Sequence, residues 1–281
     1  MSLKAMSMDK FTTGVIISTY NNPEWLEKTL WGYSLQTVKP CEVIIADDGS
    51  SDDTRKLIEK FAADMSIKHV WHEDLGFRKT KILNEALKVA KAEYLIFTDQ
   101  DCVPRNDFVA VHRRFARRGS FLSGGYFKLP MDLSRALSYD DIASGRAFSP
   151  SFLLRHGVKL SFKMTKLLGN RAFAAFMNAV TPARASWNGM NSSGWRSDII
   201  AANGFDERMQ YGGEDRELGE RLVNAGIKPI QIRYDAVTVH LDHSRPYKNE
   251  EAWKINNAIR KETKLGHITR TSYGILKESV Q

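Results

Sequence analysis

Short apolar runs alternate with longer amphipathic stretches through the first hundred residues. Residues 15–19 are one such run, and Asn22-Pro23 then supplies an N-cap and a first-turn proline for a helix reaching about Leu35. Residues 43–46 read as a second buried strand, and Ser50 or Ser51 with Asp52 and Asp53 opens a second helix toward Ala63. Residues 67–71 read as a third strand. Ile82, Leu83, Ala86, Leu87 and Ala90 recur at helical spacing, and residues 94–97 form a fourth strand ending at Thr98-Asp99. This βαβαβαβ rhythm predicts an α/β fold, Rossmann-like, with a mostly parallel sheet flanked by helices on both faces. Ligands of such sheets bind beyond the carboxyl ends of the strands. Here those ends are polar: Tyr20-Asn21-Asn22, Asp47-Asp48-Gly49-Ser50, His72-Glu73-Asp74 and Asp99-Gln100-Asp101.

After about Gly125 the rhythm stops. Residues 130–185 read as largely helical, without sheet periodicity. Order returns at Asn188-Gly189-Met190-Asn191, followed by a short helix over 198–202 and by Gly204-Phe205-Asp206-Glu207. A helix over 214–224 is closed by Gly226, residues 230–232 and 236–239 are strand-like, and a last helix over 250–262 is expected to pack through Trp253, Ile255 and Ile259.

Composition narrows the class. With 42% hydrophobic and 26% charged residues, the chain reads as globular rather than disordered. No apolar run approaches the ~18 residues of a membrane-spanning helix. Residues 1–10 lack the apolar core of a signal peptide and read as a disordered lead-in. Cys41 and Cys102 form neither a disulfide framework nor a metal-site spacing, which fits a reducing cytoplasm. The net charge of +8 is unevenly placed. Between Ile142 and Ser197 stand Arg146, Arg155, Lys159, Lys163, Lys166, Arg171, Arg184 and Arg196, with no acidic residue among them. A solvated basic face accounts for this, as does contact with a membrane surface, an anionic acceptor or nucleic acid.

Two constellations carry chemistry. Asp99 and Asp101, two residues apart after a strand, suit a hard divalent cation that bridges to phosphate oxygens, although a solvated turn explains most such pairs. Tyr211-Gly212-Gly213-Glu214-Asp215 opens a helix; acidic residues there also complement the helix dipole, but that does not explain the paired glycines or the aromatic before them.

The segments VIISTYNNPEWLEKTLWGYSLQT, EVIIADDGSSDDT and EYLIFTDQDCVP resemble the nucleotide-binding half of family 2 glycosyltransferases of the GT-A fold. The later NGFDERMQYGGEDRELGERLVNAG resembles the acceptor-side segment of β-1,4-galactosyltransferases and bacterial chondroitin-polymerase-like enzymes. The resemblance covers most of residues 13–128 and 188–250. With the pattern of the rest of the chain, this gives a lead-in at 1–10, a nucleotide-sugar-binding half at 11–128, a helical basic insert at 129–187 that the resemblance does not cover, an acceptor-binding and catalytic half at 188–245 and a helical tail at 246–281. The resemblance implies roles. Ser18, Tyr20 and the adjoining Asn21 match the loop that holds the nucleotide base, and Asp48 matches the aspartate on the uracil ring. Arg78 and Lys79 stand where the family places contacts near the diphosphate. Asp99 matches the ribose- and metal-side carboxylate and Asp101 the direct metal ligand. Asp215 matches the catalytic base, with Glu214 beside it, and Tyr211 with Gly212 and Gly213 the acceptor subsite. Galactosyltransferases carry a tryptophan at the position of Tyr211, which leaves the acceptor open.

The reaction so implied moves a sugar, with inversion, from a nucleotide diphosphate donor, UDP-linked, to a hydroxyl of a glycan or lipid-linked acceptor. One carboxylate takes the hydroxyl proton and a divalent metal balances the leaving diphosphate. A histidine is expected to complete the metal site. In HLDHSRPYKNE the galactosyltransferase pattern points to His243 and the chondroitin-polymerase pattern to His240; spacing from Gly-Gly-Glu-Asp favours His243, and the other then caps the strand or packs on Tyr247. Imidazole beside carboxylates suits Mn2+ better than Mg2+. Peripheral contact with the inner face of a membrane accommodates the basic insert. Two rival readings are a nucleotidyltransferase acting on sugar phosphates and a basic nucleic-acid-binding protein. VIISTYNNPEW lacks the glycine-rich basic loop of the first. The second conflicts with an acidic strand edge, so no nucleic acid partner is expected.

Overall fold

The computed structural model describes residues 11–244 and 250–277. The expected lead-in at 1–10, the stretch 245–249 of the HSRPYKNE run with Tyr247, and the tail end at 278–281 lie outside the described residues.

β1 (Thr13–Thr19), α1 (Pro23–Ser34), β2 (Glu42–Asp47), α2 (Asp52–Ala62), β3 (Ile67–Trp71), α3 (Lys79–Val89) and β4 (Tyr94–Asp99) follow one another in the order read from the sequence. Asn22 caps α1 by accepting the Trp25 N–H, with Pro23 at the first helical position. Ser51 stands at the N-cap of α2, but its side chain makes no capping hydrogen bond. The strands are continuous apolar runs because both sheet faces are covered. Val15, Ile17, Val43, Ile45 and Ile96 enter one core against α1 and α2, while Ile16, Ile44, Ala46, Leu95 and Phe97 enter the other against α3.

Beyond β4 come β5 (Cys102–Pro104), α4 (Phe108–Phe115), β6 (Ser120–Ser123) and β7 (Gly125–Lys128). Residues 131–180 contain α5 (Met131–Ala136), α6 (Tyr139–Ala143), α7 (Pro150–Arg155) and α8 (Arg171–Val180), with 3-10 turns at Arg146–Phe148 and Phe162–Leu167. Then follow β8 (Ser192–Trp195), α9 (Arg196–Ala201), α10 (Glu214–Asn224), β9 (Lys228–Gln231), β10 (Val237–His240) and α11 (Glu250–Leu265). The main sheet has the order β3-β2-β1-β4-β8-β6-β9, and a second has the order β5-β10-β7. Pairing is parallel from β3 to β4, antiparallel on both sides of β8, and parallel between β6 and β9. One sheet therefore runs through both expected halves of the chain.

The sequence pattern did not mark β5, α4, β6, β7 or β8, and for β8 the reason is its polarity. Ser192-Ser193-Gly194-Trp195 is fully buried, and its polarity is satisfied internally. The Ser193 hydroxyl lies 2.7 Å from both the Tyr94 hydroxyl and His112 Nδ1. The helices of residues 131–167 pack on the second sheet through Leu133, Leu137, Ile142, Phe148, Leu153 and Leu167, facing Phe127, Val237 and Val239.

The last helix packs differently from the expectation. Ala252, Asn256, Ile259 and Thr263 are its buried residues, whereas Trp253 and Ile255 are 42% and 51% exposed. Only Ile259 of the three expected anchors is buried. α10 is fixed by the fully buried Arg221, which pairs bidentately with Glu217 and donates to the carbonyls of Ala202 and Gly204.

Candidate active site

The carboxyl ends of β1, β2 and β4 open on a cleft of about 750 Å³. The β1–β4 register sets Ser18 opposite Asp99, and the Ser18 hydroxyl donates to Asp99 Oδ1 at 2.6 Å. The Lys79 ammonium, at the start of α3, reaches the same oxygen at 2.6 Å. Burial works against the Lys79 charge, but Asp99, Glu214 and Asp215 outweigh it and hold its pKa above the ordinary lysine value.

Asp48 is buried between two partners. Its Oδ1 lies 2.7 Å from His72 Nε2, and its Oδ2 accepts the Arg78 backbone N–H at 2.9 Å. Burial raises this carboxyl above the usual range, opposed by His72 and Arg78. Arg78 does not reach the cleft through its guanidinium, which turns onto the Glu73 carbonyl. Its contribution is the main-chain donor to Asp48, so Lys79 alone of the two expected basic contacts lines the site. Tyr20 donates its phenol to Asp74 Oδ2 at 2.8 Å. Gln100, which sequence reasoning passed over, clamps the Tyr20 backbone, accepting its N–H and donating to its carbonyl at 3.1 Å each. Asn21 adopts φ +42°. It lines the cleft, but its side-chain oxygen is occupied by the Ser51 N–H at 2.9 Å, tying the first loop to the second.

Asp101 is nearly enclosed. Leu241 donates its N–H to the Asp101 carbonyl at 2.8 Å, stitching the exit of β10 to the Asp-Gln-Asp turn. His243 Nε2 lies 2.8 Å and His240 Nε2 3.6 Å from Asp101 Oδ2, and the two rings stack at 5.7 Å. Burial by itself raises the Asp101 carboxyl, but His240 and His243 hold it down to about 2. The β5–β10 pairing places His240 opposite Cys102. Ligand atoms of Asp101, Cys102 and His240 all lie within 4.8 Å of one another, and His240 Nδ1 is buried without a hydrogen-bond partner. A buried carboxylate facing two imidazoles, one with an orphaned nitrogen, fits a divalent transition ion such as Mn2+ better than Mg2+.

The opposite wall begins with Gly212 and Gly213, whose φ values of +116° and +91° favour glycine. The room they leave is taken by α11 rather than left open to a ligand: a Cβ on Gly212 meets Trp253 at 2.7 Å and one on Gly213 meets Arg260 at 3.1 Å. Asn256 donates to the carbonyls of Gln210 and Gly212 at 2.9 and 3.0 Å. Trp253, Asn256 and Arg260 thus share one helical face, at spacings legible in the sequence, and Trp253 and Arg260 line the cleft. Tyr211 also lines it, edge-on to Phe77 at 5.9 Å.

Glu214 and Asp215 stand in the first turn of α10. Glu214 Oε2 accepts the Gly212 N–H at 2.9 Å; burial and then Asp215 push its carboxyl up to about 7, against the pull of Lys79. Asp215 accepts the Gly189 N–H on Oδ2 at 2.8 Å and the Arg216 N–H on Oδ1 at 2.7 Å. Gly189, from the Asn-Gly-Met-Asn loop, is the backbone that orients Asp215.

Residues 14–135 match the family described as Glycosyl transferase family 2. The chain is 30% identical over 243 residues to a validoxylamine A glucosyltransferase of Streptomyces hygroscopicus subsp. limoneus, covering 83% of this chain and 52% of that one. It is 27% identical over 222 residues to the chondroitin synthase of Escherichia coli, covering 75% of this chain and 32% of the relative. The chain spans about half the length of the glucosyltransferase relatives it matches. Among solved structures, TarS of S. aureus in complex with UDP-GlcNAc superposes with a TM-score of 0.61 at 16% identity, covering 88% of this chain and 65% of that one. The mannosyltransferase PcManGT from Pyrobaculum calidifontis, in complex with GDP-Man and Mn2+, gives 0.56 at 22% identity, covering 89% and 61%. Residues 14–135 thus match the glycosyl transferase family 2 model, and the fold in which they sit is that of the GT-A glycosyltransferases.

Proposed function

We propose that the chain is an inverting, metal-dependent glycosyltransferase that takes a sugar from a nucleoside diphosphate, UDP, and places it on a hydroxyl of a glycan or lipid-linked acceptor, as in cell-surface polysaccharide synthesis. The observation that carries this reading is the placement of Lys79 between two acidic walls: Asp99 on one side, Glu214 and Asp215 on the other. The match of residues 14–135 to the glycosyl transferase family 2 model, the similarity to chondroitin synthase and a structural neighbour holding UDP-GlcNAc support it.

Ser18, Tyr20 and Asp48 would hold the nucleoside, with Asp48 oriented by His72 and by the Arg78 N–H. Lys79 lies beside the diphosphate position and offsets its charge. The acceptor rests on Tyr211 and Trp253. Its hydroxyl proton passes to the Asp215 carboxylate as the oxygen bonds to the anomeric carbon, and the bond from that carbon to the diphosphate breaks on the opposite side, leaving its electron pair on the diphosphate. Gly189 and Arg216 fix the Asp215 oxygens by main-chain donors, so the base is oriented before the acceptor arrives. A divalent cation held by Asp101 with Asp99, His240 and His243 would neutralise charge developing on the leaving group. Incubating the chain with a panel of labelled nucleotide sugars and simple glycan acceptors, with and without manganese, tests the reading. It predicts manganese-dependent release of UDP with an inverted product; release independent of metal, or nucleotidyl transfer to a sugar phosphate, contradicts it.

A further inference from the structure

Apart from Arg171 and Asn178, the helix α8 is apolar, and it is only half covered. Ala174 and Met177 are buried and, with Phe173, pack on Tyr234. The opposite side carries Ala172, Ala175, Phe176, Ala179 and Val180, all exposed and spaced 3, 1, 3 and 1 residues apart, so they form one stripe. Phe176 and Val180 are 61% and 53% exposed. Just before α8, Leu160, Phe162 and Leu168 stand at 80%, 69% and 54%. A water-facing surface that leaves this many large apolar side chains uncovered within about twenty residues marks an interaction site.

Charge identifies the partner. Arg155, Lys159, Lys163, Arg171 and Arg184 are exposed and interleaved in sequence with these side chains, and the stretch from Ile142 to Ser197 contains no acidic residue. Apolar side chains able to enter an acyl boundary, flanked by cations at headgroup level, match an anionic bilayer. An acidic protein surface would leave the apolar stripe only partly matched, and nucleic acid would leave it exposed. Among the described residues no helix is long and apolar enough to cross a membrane, so the contact is peripheral. The patch also adjoins the cleft: Lys166 donates to the Tyr126 carbonyl at 3.1 Å, and the Tyr126 ring lies 5.7 Å from that of His240.

We infer that α8 and the loop before it form a docking surface for anionic phospholipid bilayers, which brings the His240 edge of the cleft to the membrane. This inference stands independently of the transfer reaction. Flotation of the full chain with vesicles of phosphatidylcholine alone, and of phosphatidylcholine with phosphatidylglycerol, tests it. The wild-type chain is expected to float with the anionic vesicles at low salt, to be released as salt rises, and to stay below the neutral ones. The double variant Phe176→Glu/Val180→Glu should lose binding by at least about ten-fold, with its thermal unfolding midpoint and nucleotide affinity unchanged. Leu265→Glu, an exposed apolar residue outside the patch, should bind as wild type. Equal partitioning of wild type to both vesicles, absence of binding to either, or full binding by the double variant overturns the inference. Self-association that the double variant abolishes, in a chain that ignores vesicles, overturns it in favour of a second copy as the occupant.

Discussion

The Lys79 ammonium sits 2.6 Å from Asp99 Oδ1, while the charges of Glu214 and Asp215, carried by a different helix, help to hold it protonated. Lys79 is thus the cation that allows three carboxylates from two walls to share one cleft. Lys79→Met should weaken nucleotide-sugar binding by on the order of ten-fold, the scale of one charge-assisted hydrogen bond, and raise the Glu214 pKa further. Calorimetric donor titration checks it; unchanged affinity would show that Lys79 balances the protein's own charges and nothing of the donor's.

Glu214 gives the site a pH signature. Its folded pKa, about 7, lies above the ordinary carboxylate value because of burial and Asp215. Between the unfolded and folded values the native state therefore binds more protons at this group than the unfolded state does. Stability through Glu214 is present at low pH and is lost as pH rises toward about 7. Glu214→Gln keeps an acceptor for the Gly212 N–H and removes this cost. Its unfolding midpoint should gain on wild type as pH increases across that window, and a gap that stays constant with pH would show that Glu214 carries no raised pKa.

Much of this site was legible because its residues follow strands that hydropathy marks clearly. Ser18, Asp48 and Asp99 stand at the ends of apolar runs, and parallel pairing fixes them on one edge. Glu214 and Asp215 were legible because paired glycines and an aromatic precede them at a helix start, which a helix-dipole preference alone does not explain. Three features were hidden for physical reasons. β8 is polar and small in composition, and only its bonds to Tyr94, His112 and neighbouring strands make it a core strand. Arg78 looked like a diphosphate contact because sequence does not tell a guanidinium from a main-chain N–H as the functional group. Trp253 looked like a core anchor because an aromatic in an amphipathic helix usually is one, whereas here it flanks Gly212 and the cleft.

The fixation of α10 yields a stability prediction. Arg221 and Glu217 are both fully buried and bonded to each other. Arg221→Met leaves the Glu217 carboxylate buried without its cation, which should cost about 3–5 kcal/mol. Chemical denaturation measures this directly. A loss near zero would show that the pair can be dismantled without penalty and does not anchor the helix bearing Glu214 and Asp215.

Whether His240, His243 or both bind the cation is decided by titration. His243 lies closer to Asp101, but His240 carries the orphaned Nδ1 and the tighter cluster with Cys102. We expect manganese affinity, read by calorimetry, to fall in both His240→Ala and His243→Ala, and more steeply in Asp101→Asn. If neither histidine variant moves the isotherm, the ion is held by the aspartates alone.

Asp215 as general base is the centre of the proposed chemistry, and the transfer rate of Asp215→Asn tests it most directly. The amide keeps the size of the side chain and an acceptor for the Gly189 N–H, but cannot take a proton. With a donor and acceptor pair established for the wild type, the variant should bind the nucleotide sugar with nearly unchanged affinity while transfer falls by a factor on the order of 10² or more. Transfer at close to the wild-type rate would contradict the assignment and move the base to Glu214.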